Sequence, residues 1–219
     1  MNEPLAYSLP VDLSEKYDQV AEGFAEAEYA DAAYYNRRRA EAAFALGPAL
    51  HSGATVLDLG CGDASFAGEV FARGYRYVGV DPSGGMCEAA RRRIGDRGTI
   101  EQGDFLGYEP REPVDATIVL RALYLVDDRV EVLRHIGAYT RTKVVFDLSA
   151  RQVPIARIAE EARLAGFDRL DTRPFFVSMR LVPPRPLDLA LRALERSGPV
   201  ARAIASRRFR IFCAAYRSG

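Results

Sequence analysis

Residues 56–66 read Val-Leu-Asp-Leu-Gly-Cys-Gly-Asp-Ala-Ser-Phe: a short apolar run carrying an acid, two glycines one residue apart, and the opening of a helix. An apolar run of this length, ended by glycine, is expected to be a buried strand. Glycine tolerates positive φ and lets backbone N–H groups approach a ligand, and the N-terminus of the helix that follows favours negative charge. A strand, a tight glycine turn and a helix in that order form the opening unit of a parallel α/β fold. By itself the turn suits several kinds of nucleotide-binding protein, and it also serves simply to join strand to helix.

The rest of the chain fits that unit. From about Gly53 to Phe167 short apolar strands alternate with amphipathic helices. The strands are expected at Thr55 to Leu59, Tyr77 to Val80, Ala116 to Leu120 and Lys143 to Leu148, with a fainter one at Thr99 to Gln102. The helices between them span Ser65 to Arg73, Gly85 to Ile94, Arg129 to Tyr139 and Pro154 to Ala165, the last closed by Gly166. Up to about residue 50 the pattern is helical, beginning with Leu13 to Phe24 and continuing through a Tyr- and Ala-rich stretch to Leu46. Two late strands, Thr172 to Leu181 and Phe209 to Tyr216, flank an insertion at about 182–208. That insertion holds a helix from about Leu187 to Arg196 and a second short one to about Ser206. The expectation is a Rossmann-like α/β fold: a seven-stranded, mostly parallel sheet with an antiparallel last strand. Residues 1–50 would form a helical cap and residues 51–219 the catalytic domain.

Composition narrows the function. The 219 residues carry 30 Lys+Arg and 30 Asp+Glu, a formal net charge of zero, so no overall field draws the chain to nucleic acid. No stretch approaches the roughly 20 apolar residues that span a bilayer. The first residues lack a basic, then apolar, leader, which together with three irregularly spaced cysteines points to a reduced, cytoplasmic setting.

Two details of the glycine turn argue against a dinucleotide. The third fingerprint position, which wants Gly or Ala, is Ser65, and Asp58 ahead of the first glycine would repel a pyrophosphate. A ligand with an ammonium group would welcome Asp58, and a carboxylate on the same ligand would suit the N–H groups of Gly60 and Gly62.

Three motifs follow one another: VLDLGCGD at 56–63, VGVDPS at 78–83 and QGDF at 102–105. In this order and spacing, over about residues 53 to 150, the chain resembles the class I S-adenosylmethionine-dependent methyltransferases. The resemblance implies S-adenosylmethionine as cofactor, on the loop Gly60, Cys61 and Gly62 with Asp58 beneath it. It implies that Asp81 accepts from the ribose hydroxyls beside Pro82, although Asp81 also stands where a residue can cap the next helix. It gives Asp104 to the adenine amine and the Phe105 N–H to a ring nitrogen, with an ordinary loop aspartate as the other reading of Asp104. Met86, Leu120 and Tyr17, which with Asp18 resembles a recurrent Tyr-Asp of the family's helical preface, complete the cofactor set.

The acceptor side is less typical. After the fourth strand the family frequently places histidine, and here Tyr124 and Leu125 take those positions. His51 and His135 sit where structural roles are expected. Tyr124 is the candidate for orienting an acceptor and Arg121 for meeting an acidic group on it; a packed tyrosine and a solvated arginine are the alternatives. Tyr29, Tyr34 and Tyr35 could cover a sulfonium and an organic acceptor, although most are expected to be packing, and Arg37-Arg38-Arg39 is read as a solvated face rather than an anion site. The insertion is basic and amphipathic, suited to a peripheral membrane surface, an acidic acceptor or a dimer contact. The activity expected is methyl transfer to an O, N or C atom of a small organic acceptor by a monomer or homodimer. A lipid or quinone acceptor, or a non-catalytic binding protein, are the alternatives.

Overall fold

The computed structural model describes residues 17–198, 200–201, 203–204 and 209–218. Seven strands form one sheet: β1 (Thr55–Leu59), β2 (Arg76–Asp81), β3 (Thr99–Gln102), β4 (Val114–Val119), β5 (Thr140–Ser149), β6 (Arg169–Phe175) and β7 (Arg210–Tyr216). Their order is β3-β2-β1-β4-β5-β7-β6. The first five pair in parallel, whereas β7 runs antiparallel between β5 and β6. β4 is buried along its whole length, as a central parallel strand covered on both faces must be.

Helices α1 (Phe24–Glu28), α2 (Ala32–Phe44), α3 (Ala67–Phe71) and α4 (Gly84–Ile94) precede α5 (Arg129–Tyr139), α6 (Ile155–Leu164) and α7 (Arg185–Glu195). One apolar cluster joins the sheet to α5 and α6 through Val132, Leu133, Ile136, Ile158 and Ala162. A second joins it to α2, α3 and α4 through Tyr35, Ala43, Val70, Cys87 and Ile94. The strand order reverses between β1 and β4, so the loops leaving those two strands face each other across a crevice, where ligands of such sheets bind.

Several boundaries move from their expected places, each for a local reason. The helix after the glycine loop opens at Ala67 rather than Ser65, because Ala64 takes a left-handed φ of 54° and the Ser65 carbonyl accepts from Asn36 instead of opening the helix. The sixth strand ends at Phe175 instead of reaching Leu181. Past it, Phe176 N–H is donated to the Glu195 carboxylate at 3.0 Å and the Met179 carbonyl accepts from Ala30. Of the first expected helix, residues 17–20 are helical, while its start at Leu13 lies outside the described residues, as does the expected end of the last short helix at Ser206.

The arginine run departs most from expectation. Only Arg37 is exposed; Arg38 and Arg39 are buried. Arg38 reaches Glu195 at 2.7 Å and Asp188 at 3.2 Å, both on α7. Tyr34 O–H donates to the same Asp188 at 2.7 Å, and Arg192 bridges Asp188 to Glu41. Charge on α2 is therefore used to clamp the inserted helix rather than to meet solvent. The far end of α2 is held by Lys143 of β5, whose buried Nζ donates to the carbonyls of Phe44 and Leu46 at 3.3 and 2.5 Å. Burial draws that ammonium down to about 8.

Candidate active site

The crevice between the loops after β1 and β4 is a cleft of about 830 Å³, its solvent-filled mouth included. Of the thirteen residues the sequence put forward, twelve line it: Tyr17, Asp58, Gly60, Cys61, Gly62, Asp81, Pro82, Met86, Phe105, Leu120, Arg121 and Tyr124. Asp104 lies beside it, in a smaller adjoining cavity of about 180 Å³ that also touches Gly60, Pro82 and Phe105. Asp104 Oδ1 accepts from Leu106 and Gly107 at 2.9 and 2.6 Å, a turn-forming role that leaves its adenine role a proposal.

The floor is the glycine loop. Gly60 has φ 73°, and a Cβ there would stand 2.9 Å from the Ala122 side chain, closer than carbon atoms approach. Gly62 has φ 55°, and its N–H is donated to Asp81 Oδ2 at 2.8 Å. Asp81 Oδ1 accepts from Ser83 N–H at 3.0 Å, so this carboxylate ties the end of β2 to the loop after β1. The helix-cap reading of Asp81 falls away: Ser83 caps α4, its Oγ accepting from Met86 N–H at 3.0 Å. Burial pushes the Asp81 carboxyl up, against the downward pull of its two backbone donors.

Asp58 is buried on β1, and Tyr77 O–H donates to its Oδ2 at 2.9 Å. Loss of solvent raises its carboxyl to about 6. Among the described residues it forms no ion pair. The charge of nearby Arg39 only partly offsets that burial, and a buried acid in a cavity wall is the kind of group whose charge a bound ammonium would restore. Cys61 is not a nucleophile candidate, because burial holds its thiol far above the ordinary range.

Sequence reasoning missed Phe24 of α1 and Phe66 of the loop before α3, and favoured packing for Tyr29 and a solvated face for Arg39; all four line the cavity. The guanidinium of Arg39 lies 5.3 Å from the Phe66 ring centre and 5.6 Å from that of Tyr35, and it donates to Asn36 at 3.0 Å. Its Nε is buried without a hydrogen-bond partner among the described residues. The readable signal was spacing: Tyr35 and Arg39 are four residues apart, on one helical face.

On the β4 side, Arg121 takes a left-handed φ of 61°, a strained backbone of the sort found at functional loops. Its N–H is donated to buried Asp147 at 2.6 Å, and Asp147 is also paired with Arg210. The Arg121 guanidinium donates to Tyr29 O–H at 2.8 Å and reaches Glu28 at 3.4 Å, joining the β4 loop to the cap. Tyr124 is half exposed at the cavity edge, with the Arg210 guanidinium 5.8 Å from its ring centre. Both histidines lie elsewhere: His51 pairs with Asp115 at 3.3 Å and His135 meets the Tyr108 carbonyl at 3.0 Å. Asp18 accepts from Ser83 Oγ at 2.5 Å and Gly85 N–H at 2.9 Å, which pins Tyr17 and Asp18 at the N-terminus of α4.

Residues 56–143 match the model of a methyltransferase domain. An uncharacterized methyltransferase of Geobacillus thermodenitrificans is 32% identical over 166 residues, covering 72% of this chain and 74% of that protein. The chain belongs to the S-adenosylmethionine-dependent methyltransferases. Its cofactor is S-adenosylmethionine. The fold agrees: an S-adenosylmethionine-dependent methyltransferase of Thermotoga maritima superposes with a TM-score of 0.60 at 16% identity, over 95% of this chain and 96% of that one. A [4+2]-cyclase, SpnF, superposes with a TM-score of 0.65 at 17% identity, over 94% of this chain and 96% of that one, so the fold by itself does not fix the reaction. Among the described residues no helix of this methyltransferase is long and apolar enough to cross a membrane, and no cluster of potential metal ligands occurs.

Proposed function

We propose that this methyltransferase alkylates a small organic acceptor held against the cap, with residues 1–50 forming that cap and 51–219 the catalytic domain. The observation that carries the reading is the meeting, in one cavity, of a buried acid that forms no ion pair among the described residues and a nearby buried arginine whose Nε has no hydrogen-bond partner among them. In this reading Asp58 takes the ammonium of the cofactor's amino-acid end, and Arg39 with the N–H groups of the glycine loop takes its carboxylate. Asp81 takes the ribose, Pro82 and Met86 pack on the nucleoside, and Asp104 and Phe105 meet the adenine. Cys61 and Leu120 close the walls and Tyr17 covers the site.

Bound there, the cofactor presents a methyl group on a positively charged sulfur, a carbon already activated toward in-line displacement. The chain's task is then to position the acceptor and exclude water, and proximity alone can supply several kcal/mol of the barrier reduction. Phe24, Tyr29 and Phe66 give an apolar, electron-rich wall suited to an organic acceptor near a sulfonium. Tyr124 O–H orients the acceptor's attacking atom. Arg121 offers positive charge to an acidic substituent, in competition with Glu28.

Supplying the chain with methyl-labelled S-adenosylmethionine and a mixture of phenols, amines, thiols and carboxylic acids, beside total protein and RNA, tests the acceptor class. Label should appear in the small-molecule fraction. Label confined to the protein or RNA fraction would contradict the reading.

A further inference from the structure

Helix α7 packs Leu191 and Leu194 against the core but also turns charged residues inward. Asp188, Arg192 and Glu195 point inward, into ion pairs with Arg38 and Glu41 of α2 and a hydrogen bond from Tyr34. Its solvent face carries Pro186, Leu187, Leu189, Ala190 and Ala193, all exposed. Leu187 is 49% and Leu189 58% exposed, and the neighbouring Leu181 is 70%. Seven of the ten large hydrophobic residues described as exposed fall between positions 181 and 209: Leu181, Val182, Leu187, Leu189, Val200, Ile204 and Phe209. A soluble surface scatters such residues singly; a concentration in one segment marks a face that meets something apolar.

The charges around that face say what it meets. Arg180, Arg185 and Arg196 are exposed in the same segment. Its only acids between Ser178 and Phe209, Asp188 and Glu195, are both consumed by inward pairing. A self-complementary dimer through this face would set arginines against arginines. A surface that is apolar and negatively charged at once accepts both features.

We propose that the surface formed by Leu181, Leu187 and Leu189 with Arg180, Arg185 and Arg196 docks this methyltransferase on an anionic lipid bilayer, with α7 lying in the plane of the headgroups. Eleven residues of helix are about 16 Å long, too short to cross a bilayer but suited to lying at its interface. Leu187 and Leu189 enter the acyl boundary, and the arginines face the phosphate layer. The inward ion pairs with α2 hold the polar side of the helix away from the lipid, so binding requires no unfolding. The face is separate from the cofactor cavity, and the proposal stands or falls independently of the acceptor's identity.

Vesicle co-sedimentation of the full chain tests this. With vesicles of equimolar phosphatidylcholine and phosphatidylglycerol the protein should pellet, with phosphatidylcholine alone it should stay in the supernatant, and high salt should release it. The paired change Leu187→Glu and Leu189→Glu should abolish pelleting with the melting temperature retained. Arg185→Gln alone should weaken it about fivefold, the usual contribution of one arginine at a charged membrane. No pelleting with either vesicle, or pelleting unaffected by phosphatidylglycerol and by the variants, would overturn the proposal. So would a dimer in light scattering that the leucine variant dissociates while wild type ignores vesicles, since that would assign the face to self-association.

Discussion

Arg38→Met should lower the unfolding free energy by about 3–5 kcal/mol, read from the urea midpoint, because it breaks a fully buried ion pair and strands its partner. The Arg38 side chain is 1% exposed and that of Glu195 2%, at 2.7 Å. Removing the guanidinium leaves the Glu195 carboxylate, among the described residues, with the Phe176 N–H as its hydrogen-bond donor, and leaves Asp188 with Tyr34 and Arg192. Arg192→Met, at a pair open to water, should cost no more than about 1 kcal/mol. Adding Glu195→Met to Arg38→Met should recover much of the loss, since two apolar side chains suit a buried site better than one orphaned charge. A loss under about 1 kcal/mol for Arg38→Met would mean that the α2–α7 clamp does not hold the insertion in solution.

The affinity for S-adenosylmethionine should fall by up to about tenfold for each pH unit below 6, if Asp58 must be ionised to receive the ammonium. The sign follows from burial. Desolvation raises the Asp58 carboxyl to about 6, despite the donated Tyr77 hydrogen bond and the nearby Arg39. Below that pH the free protein carries a neutral acid, and binding must expel its proton, whereas the ligand's ammonium stays charged throughout. Asp81 shares the cavity, and its carboxyl is also raised, so wild type alone does not assign the effect. Asp58→Asn separates them: it should bind more weakly at neutral pH and lose most of the acid-side dependence. A variant with wild-type affinity and an unchanged pH profile would remove Asp58 from the cofactor site.

Local chemistry explains what could be read beforehand. Strand β1, the turn at Gly60 and Gly62, and Asp81 at the end of β2 were legible because each rests on a short-range rule: an apolar run, a positive φ, a carboxylate beside a helix start. The antiparallel β7 was legible because no crossover helix of the earlier kind separates the last two strands. Arg39 was not legible. Charge runs on helices usually face water, and only the packing of α2 over the sheet turns Arg38 toward α7 and Arg39 toward the cavity. The end of β6 was misplaced for the same reason: Phe176 gives its N–H to a carboxylate 19 residues away, a partner that no local pattern announces. Asp104 stands between these cases, since its turn hydrogen bonds and a role toward adenine call for the same residue type.

The central claim is that the loop after β1 holds S-adenosylmethionine rather than a dinucleotide. Isothermal titration of the full chain with S-adenosylmethionine, S-adenosylhomocysteine and NADH tests it directly. One site per chain is expected for the two sulfur compounds, with no heat from NADH; saturable binding of NADH with none of S-adenosylmethionine would contradict that assignment.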